Sequence, residues 1–190
     1  MRIVSGVSTE ILEDLHSRVA RYRHAVFVER LGWSLQTRGG EELDQYDRAD
    51  TVYVVAQNEG GLISGCARLL PTIRPYLLGE VFAHLLDGEP PPCSPDVWEL
   101  SRFAAVDFNR RRAAGPAAGS SAAAIGLLDA AIRYAAAQGA KRLITLSPLG
   151  VERLLRRAGF RASRAGLPLR IGGQLCVVCW IEATREDRPR

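Results

Sequence analysis

This chain predicts an α/β fold: one mixed, twisted sheet with helices on both of its faces. Three observations carry that expectation. Runs with strand periodicity alternate with helical ones in the order α-β-β-α-β-α-β-α-β. The apolar runs Val52–Gln57 and Leu62–Leu70, joined by the turn Asn58–Gly61, read as an antiparallel hairpin. A long alanine-rich helix, Ser121–Gln138, links two later strands in the manner of a right-handed crossover. With 190 residues, 47% of them hydrophobic, one domain over residues 1–190 is expected.

Taken in order, Ser8 or Thr9 followed by Glu10, Ile11, Leu12 and Leu15 opens an amphipathic helix that runs to about Glu29. Arg23 and Phe27, four apart, share one of its faces, and Gly32 is its stop. Trp33 lies just beyond, and Asp44 and Asp47 fall in the polar linker before Val52. Pro71 and Pro75 end the hairpin. A short helical pattern, Leu77–Leu86, carries Phe82 and closes at the proline-rich turn 90–95. Val97–Val106 is a strand, with Trp98, Leu100 and Arg102 on one side and Glu99, Ser101 and Phe103 on the other. Arg110, Arg111 and Arg112 lead into the loop sequence AAGPAAGSS. The helix that follows is apolar at Ile125, Leu128, Ala131, Ile132 and Ala135 and stops at Gly139. Leu143–Leu146 is a short buried strand, Val151–Ala158 a helix stopped by Gly159, and Leu175–Ile181 the last strand.

Charge is distributed unevenly. Residues 1–95 hold 9 basic and 13 acidic side chains, whereas residues 96–190 hold 16 and 8. A basic face in the second half suits an acidic partner. Neither an aromatic RNA motif nor zinc-finger spacing accompanies it, so nucleic acid is not the expected partner. The N-terminus lacks the apolar run of a signal peptide, and no stretch approaches a membrane span. Four scattered cysteines point to a reducing, cytoplasmic setting. Cys176 and Cys179 have metal-pair spacing, but a strand points them to opposite faces, so they are expected as core thiols.

The residues able to carry chemistry are charges set among apolar ones. Arg68 lies in the hairpin's second strand, and Glu99 and Arg102 lie in WELSRF. With Arg23, Asp44 and Asp47 they make three arginines and three carboxylates, and burying any of them requires partners. Two accounts fit. One is an ion network that holds the N-terminal layer on the sheet. The other is a cleft that clamps a charged substrate and removes a proton from it, with Phe27 and Trp33 lining a pocket for a cationic, ring-bearing ligand. There is no GxSxG elbow or Walker loop, and His16, His24 and His84 lack ligand spacing, so no metal is expected.

Arg23, Phe27, Trp33, Asp44, Asp47, Arg68, Phe82, Glu99 and Arg102 stand in the order and spacing of the acyl-homoserine-lactone synthases, the autoinducer synthases of quorum sensing. The stretches RYRHAVFVERLGW, ELDQYD, ARLLPT, YLLGEVF, WELSRFAAV and VERLLRRAGF are similar to that family's text over roughly residues 10–165. The resemblance implies a fold like the GNAT N-acyltransferases. It also implies a reaction in which S-adenosylmethionine and an acyl thioester on acyl carrier protein give an N-acyl-L-homoserine lactone, 5′-methylthioadenosine and the free carrier thiol. S-adenosylmethionine is then a substrate, and no cofactor is implied. A coenzyme-A-dependent N-acyltransferase with another amine acceptor, or a non-catalytic ligand or carrier-protein binding module, are the alternatives.

On that resemblance, Arg23, Phe27, Arg30, Trp33, Asp44, Asp47, Arg68 and Arg102 are expected on the S-adenosylmethionine side. Glu99 is the expected general base, with Arg102 and Asp47 beside the chemistry and the backbone N–H near Phe103 as oxyanion donor. Leu100, Leu128, Ile144, Thr145, Leu146, Ser147 and Leu149 are expected along the acyl chain, the two hydroxyls near its 3-position. Arg110, Arg111, Arg112, Arg153, Arg156 and Arg157, with Arg161 and Arg164, are expected to meet the acidic carrier protein.

Overall fold

The computed structural model describes residues 1–9, 13–108 and 118–183. It opens on a strand, not on the expected helix. β1 (Arg2–Val7) pairs antiparallel with β4 (Val52–Gln57), from Arg2 opposite Gln57 to Val7 opposite Val52. The sequence RIVSGV hides this strand because serine and glycine interrupt its apolar residues and most of it stays partly exposed. Helix α1 (Glu13–Arg23) follows and passes directly into a π-helical segment, His24–Arg30. Residues 10–12, which were expected to start the helix, lie outside the described residues.

Gly32, at φ +69°, stops that segment where a left-handed residue is required. Two-residue strands β2 (Thr37–Arg38) and β3 (Glu41–Glu42) then form a hairpin. Its turn, Gly39 and Gly40 at φ +59° and +79°, needs positive φ at both positions, hence the glycine pair. Strand β5 (Ile63–Pro71) follows β4 across the expected turn, where Asn58 Oδ1 accepts from the N–H groups of Gly60 and Leu62. Helix α2 (Leu77–Val81) and a 3₁₀ turn (Ala83–Leu85) precede β6 (Val97–Ala104).

After helix α3 (Ala118–Ala137), strand β7 (Arg142–Pro148) lies parallel to β6, with Trp98 opposite Leu143 and Glu99 opposite Ile144. The connection through α3 is therefore a crossover, as its length and pattern predict. Helix α4 (Leu149–Arg157) and strands β8 (Ala162–Arg164), β9 (Leu169–Ile171) and β10 (Gln174–Glu182) complete the chain. β8 and β9 were not expected: each has three residues, too few to show a period. The hydrogen-bonded strand order is β1-β4-β5-β6-β7-β10-β8, with β9 on β10.

Two compact units make up the chain. The first comprises Met1–Arg68 and Arg102–Ala131, the second Leu69–Ser101 and Ile132–Arg190. Val19, Tyr22, Val26, Phe27, Tyr53, Val55, Ile63, Cys66 and Ala104 form a core cluster in the first, with Leu15, Trp33, Leu35 and Val106 packed against it. In the second, Leu78, Leu85, Leu100, Leu143, Ile144, Leu155, Val177 and Ile181 are buried. Cys176 and Cys179 are buried free thiols, in keeping with the core reading. No helix among the described residues is long and apolar enough to cross a membrane.

The expected alternation along β6 needs correction. Glu99, Leu100, Ser101 and Arg102 are all buried, so this strand is covered on both faces. At Arg102 the backbone turns left-handed, φ +49°, which breaks the period-two pattern and re-aims the guanidinium.

Candidate functional site

In the first unit, α1 ends at Arg23, a fully buried guanidinium. Its Nε donates to Glu42 Oε2 at 2.6 Å, and Nη1 and Nη2 donate to the two oxygens of Asp47 at 2.6 and 3.0 Å. Arg68, on β5 and equally buried, donates through Nη1 to Asp44 Oδ1 (2.6 Å) and Asp47 Oδ1 (3.0 Å), and through Nη2 to Asp44 Oδ2 (3.1 Å). Arg102 reaches Glu42 Oε1 through Nη2 at 2.9 Å and Asp44 Oδ2 through the same nitrogen at 2.9 Å. Three cations and three carboxylates thus close into one neutral network, the arrangement that makes their burial tolerable.

The linker is shaped to hold its carboxylates. Asp44 N–H donates to Asp47 Oδ2 (2.7 Å) and Tyr46 N–H to Asp44 Oδ1 (2.9 Å), so the acidic pair is fixed by its own turn. Tyr53, on β4, donates its phenol to Asp47 Oδ1 at 2.5 Å. Burial opposes ionisation of Asp47, but Arg23 and Arg68 outweigh it and hold this carboxyl well below the usual range. Burial likewise opposes Glu42, and hydrogen bonding and charge from Arg23 and Arg102 hold it low as well. Desolvation and the neighbouring Asp47 carboxylate push the Tyr53 phenol far up, so it stays a donor.

Aromatic groups border the network. Phe27 and Trp33 stack with centroids 5.0 Å apart at 21°, and the Trp33 backbone N–H donates to Phe27 O at 2.9 Å. The Arg102 guanidinium lies 5.8 Å from the Phe27 ring centroid. Of the expected residues, Arg23, Phe27, Trp33, Asp44, Asp47, Arg68 and Arg102 therefore belong to one connected cluster. Arg30 is exposed at the end of the π segment, and its side chain forms no part of the network's hydrogen bonds.

Two members were missed from the sequence. Glu42 bridges Arg23 and Arg102 and is 1% exposed. Its signal was the spacing Glu42-x-Asp44, which puts both carboxylates on one side of an extended chain. Tyr53 passed as an ordinary strand aromatic.

Glu99 lies in the second unit and is 2% exposed. It accepts from Leu78 N–H at 2.6 Å and from Leu77 N–H at 3.2 Å, at the start of α2. Those are N–H groups that a helix leaves unpaired, so the carboxylate is held in position by the helix end. Phe82 and Phe103 are half-buried.

The residues expected along an acyl chain divide between two faces of β7. Thr145 and Ser147 stand opposite Cys179 and Val177, whereas Ile144 and Leu146 stand opposite Trp180 and Val178. The hydroxyls of Thr145 and Ser147, both buried, are 2.9 Å apart. Leu100 and Leu128 are fully buried, and Leu149 is half-buried at the start of α4. Arg153, Arg156 and Arg157 are exposed on α4, while Arg110, Arg111 and Arg112 lie outside the described residues. No cluster of metal-ligating side chains occurs among the described residues.

Comparison with known proteins fits this architecture. The autoinducer synthase family matches residues 8–190. An acyl-homoserine-lactone synthase of Acinetobacter nosocomialis is 56% identical over 182 residues, covering 96% of this chain and 100% of that one. The structure of TofI in a ternary complex with an inhibitor and MTA aligns with a TM-score of 0.84 at 43% identity, covering 96% and 92% of the two chains. BjaI, described as a CoA-dependent acyl-homoserine lactone synthase and solved with SAM and isopentyl-CoA, aligns with a TM-score of 0.81 at 30% identity, covering 97% and 83%. The fold is accordingly the mixed α/β, twisted-sheet fold of these enzymes, similar to the N-acyltransferases. The chain belongs to the autoinducer synthase family, the acyl-homoserine-lactone synthases.

Proposed function

We propose that this synthase transfers an acyl chain from acyl carrier protein to the amine of S-adenosylmethionine and closes the lactone, releasing 5′-methylthioadenosine. The observation that carries this reading is the closed network of Arg23, Arg68 and Arg102 with Glu42, Asp44 and Asp47, bordered by the stacked Phe27 and Trp33. Such a group is preorganised for a ligand that joins an amino-acid end, a sulfonium and an aromatic ring. Arg23 and Arg68, with no exposed surface, act by fixing Asp44 and Asp47. Arg102 and Trp33 are the contact groups, with Phe27 buried behind the Trp33 ring and Arg30 at the rim. Nη1 of Arg102 carries no hydrogen bond to the described residues, which leaves a donor for a substrate carboxylate or carbonyl.

Two bonds form and two break. The methionyl ammonium first loses a proton to Glu99, directly or through a water, because only the free amine is nucleophilic. The N–H groups of Leu77 and Leu78 at the start of α2 hold the Glu99 carboxylate in place for that transfer. The amine then attacks the thioester carbonyl, the C–S bond breaks, and the carrier thiolate leaves and takes up a proton. The oxyanion formed on the way accepts from the N–H near Phe103, beside the left-handed residue Arg102. Finally the methionyl carboxylate displaces the sulfonium sulfur at Cγ, an intramolecular closure that needs mainly a folded substrate. In this reading the hydroxyls of Thr145 and Ser147, 2.9 Å apart, hydrogen-bond a 3-oxo group of the acyl chain.

Coenzyme A is the second donor to consider, because BjaI, a CoA-dependent synthase by its description, shares the fold at 30% identity. Purified enzyme is to be incubated with S-adenosylmethionine and the same acyl chain on acyl carrier protein or on coenzyme A. Lactone and methylthioadenosine, followed by mass spectrometry, should form faster from the carrier-bound donor. Equal or higher kcat/KM with acyl-coenzyme A would reject the carrier assignment, and acylation of some other amine without lactone would reject the reaction.

A further inference from the structure

We infer that Cys66 is a positioning residue for the acyl-transfer step: its thiol fixes the peptide between Arg102 and Phe103 and so aims the N–H that meets the oxyanion. The inference rests on the oxyanion reading above and adds a residue to which that reading gives no part.

Cys66 sits on β5 and is 1% exposed, a free thiol in the core cluster of the first unit. Its Sγ donates to the Arg102 carbonyl oxygen at 3.2 Å. Burial pushes the pKa of this thiol up to about 12, so at neutral pH it is an S–H donor and not a nucleophile. What the group offers is one hydrogen bond.

That bond falls on an unusual peptide. Among the described residues Arg102 is one of two non-glycine residues at positive φ, a conformation that persists only where the surroundings hold it. Its guanidinium is tied to Glu42 and Asp44, and Cys66 ties its carbonyl, so the residue is held at both ends. The strand is irregular here in its carbonyls as well as in φ. Ala104 O lies 3.1 Å from where a Cβ on Gly65 would stand, and Gly65 and Cys66 present opposite faces of β5. The carbonyls of Arg102 and Ala104, which in a regular strand point the same way, are thus met from opposite faces. Beyond β6 the chain is clamped again, where the Tyr22 phenol donates to Val106 O at 3.0 Å and accepts from Val106 N–H at 2.8 Å.

The consequence for the reaction is geometric. A peptide unit is planar and trans, so its C=O and N–H point in opposite directions within one plane. Holding the Arg102 oxygen therefore sets the direction of the Phe103 N–H, away from Cys66. A hydrogen bond to the oxygen also polarises the unit and strengthens its N–H as a donor. Oxyanion stabilisation depends on donors held in place before the charge develops. Cys66 supplies that preorganisation from a side chain buried in the core.

The test uses purified full-length enzyme with S-adenosylmethionine and octanoyl acyl carrier protein. Cys66→Ser, which keeps a donor, and Cys66→Ala and Cys66→Val, which do not, are compared with a backbone variant whose Phe103 N–H is replaced by an ester oxygen. Thermal melting checks folding, Cys66→Val serves should Cys66→Ala misfold, and kcat is expressed per S-adenosylmethionine-binding site titrated by calorimetry. The two donor-free variants should lower kcat roughly tenfold to a hundredfold with both KM values unchanged, and Cys66→Ser should restore most of it. In the ester background Cys66→Ala should cost nothing further, because the N–H through which the thiol acts is gone. If the ester variant keeps its kcat, the oxyanion reading fails and the inference with it. If the ester variant is slow while the donor-free variants match wild type, the inference alone fails and the Phe103 N–H keeps its role. A Cys66→Ala loss that adds in full to the ester loss, or that serine does not restore, makes Cys66 a packing residue only.

Discussion

Asp47 receives hydrogen bonds from Arg23, Arg68, Tyr53 and the Asp44 N–H, and its side chain is 2% exposed. Replacing it with asparagine leaves two fully buried guanidiniums short of charge, which costs about 3–5 kcal/mol. The Asp47→Asn variant should therefore lose much of its stability to urea, in addition to its activity. The sign of the pH dependence follows from the lowered carboxyl pKa. Asp47 and Glu42 contribute their stability above their ordinary values, 3.8 and 4.5, and lose it as pH falls toward the depressed folded-state values. Urea midpoints between pH 7 and pH 3 should fall steeply for wild type and less for Asp47→Asn; parallel curves would show that this network does not govern acid stability. Glu99 makes a different prediction. Glu99→Gln cannot take the ammonium proton, so kcat should fall by about 10²–10⁴-fold. Because its amide nitrogen cannot accept from one of the two α2 N–H groups, stability should fall by about 1–3 kcal/mol. Full activity with an unchanged acidic limb of the pH–rate profile would remove Glu99 from the role of base. At this scale the sequence was legible where charges broke an apolar pattern, as at Arg68, Glu99 and Arg102. It was opaque at Glu42, because the run Gly-Gly-Glu-Glu reads as a solvated turn until Arg23 and Arg102 are seen closing on it.

Elements were legible in proportion to their length and period. The twenty-residue α3 and the nine-residue β5 stood out, whereas the three-residue β8 and β9 and the edge strand β1 carried too little pattern to separate from loop. The π-helical character of residues 24–30 was also hidden, since its apolar residues Val26, Phe27 and Val28 suit either helix type. Glycine gives a test that distinguishes element from connection. Gly166, in the loop between β8 and β9, packs so closely on the Leu85 carbonyl oxygen that an added Cβ would collide with backbone. Gly166→Ala should cost about 1–3 kcal/mol. Gly150 lies in α4 at an ordinary φ with nothing within 4 Å of an added Cβ, so Gly150→Ala should stabilise by up to about 1 kcal/mol. Denaturant unfolding of the pair checks both signs. A neutral Gly166→Ala would mean that the loop moves off Leu85 without loss.

Over the whole molecule, charge is what the fold leaves unexplained. The network around Asp47 balances internally, so the excess of basic groups in residues 96–190, 16 against 8 acidic, is not consumed by it. Arg153, Arg156 and Arg157 expose part of that excess on α4. Arg156 and Arg164 are the partners of Glu152, whereas Arg153 forms no ion pair with it. Exposed charges of this kind act at a range set by salt, about 8 Å at physiological ionic strength, and steer encounter more than they hold a complex. Reversing Arg153 and Arg157 to glutamate changes the local charge by four units at no buried contact. The variant should therefore fold normally and keep its S-adenosylmethionine KM. Its carrier-protein KM at low salt should rise about tenfold or more, and the gap from wild type should close as salt is raised, because screening removes the attraction from one and the repulsion from the other. Steady-state kinetics at two ionic strengths decide the matter. A carrier KM that is unchanged at low salt, or a deficit that persists undiminished at high salt, would show that these arginines do not steer the donor.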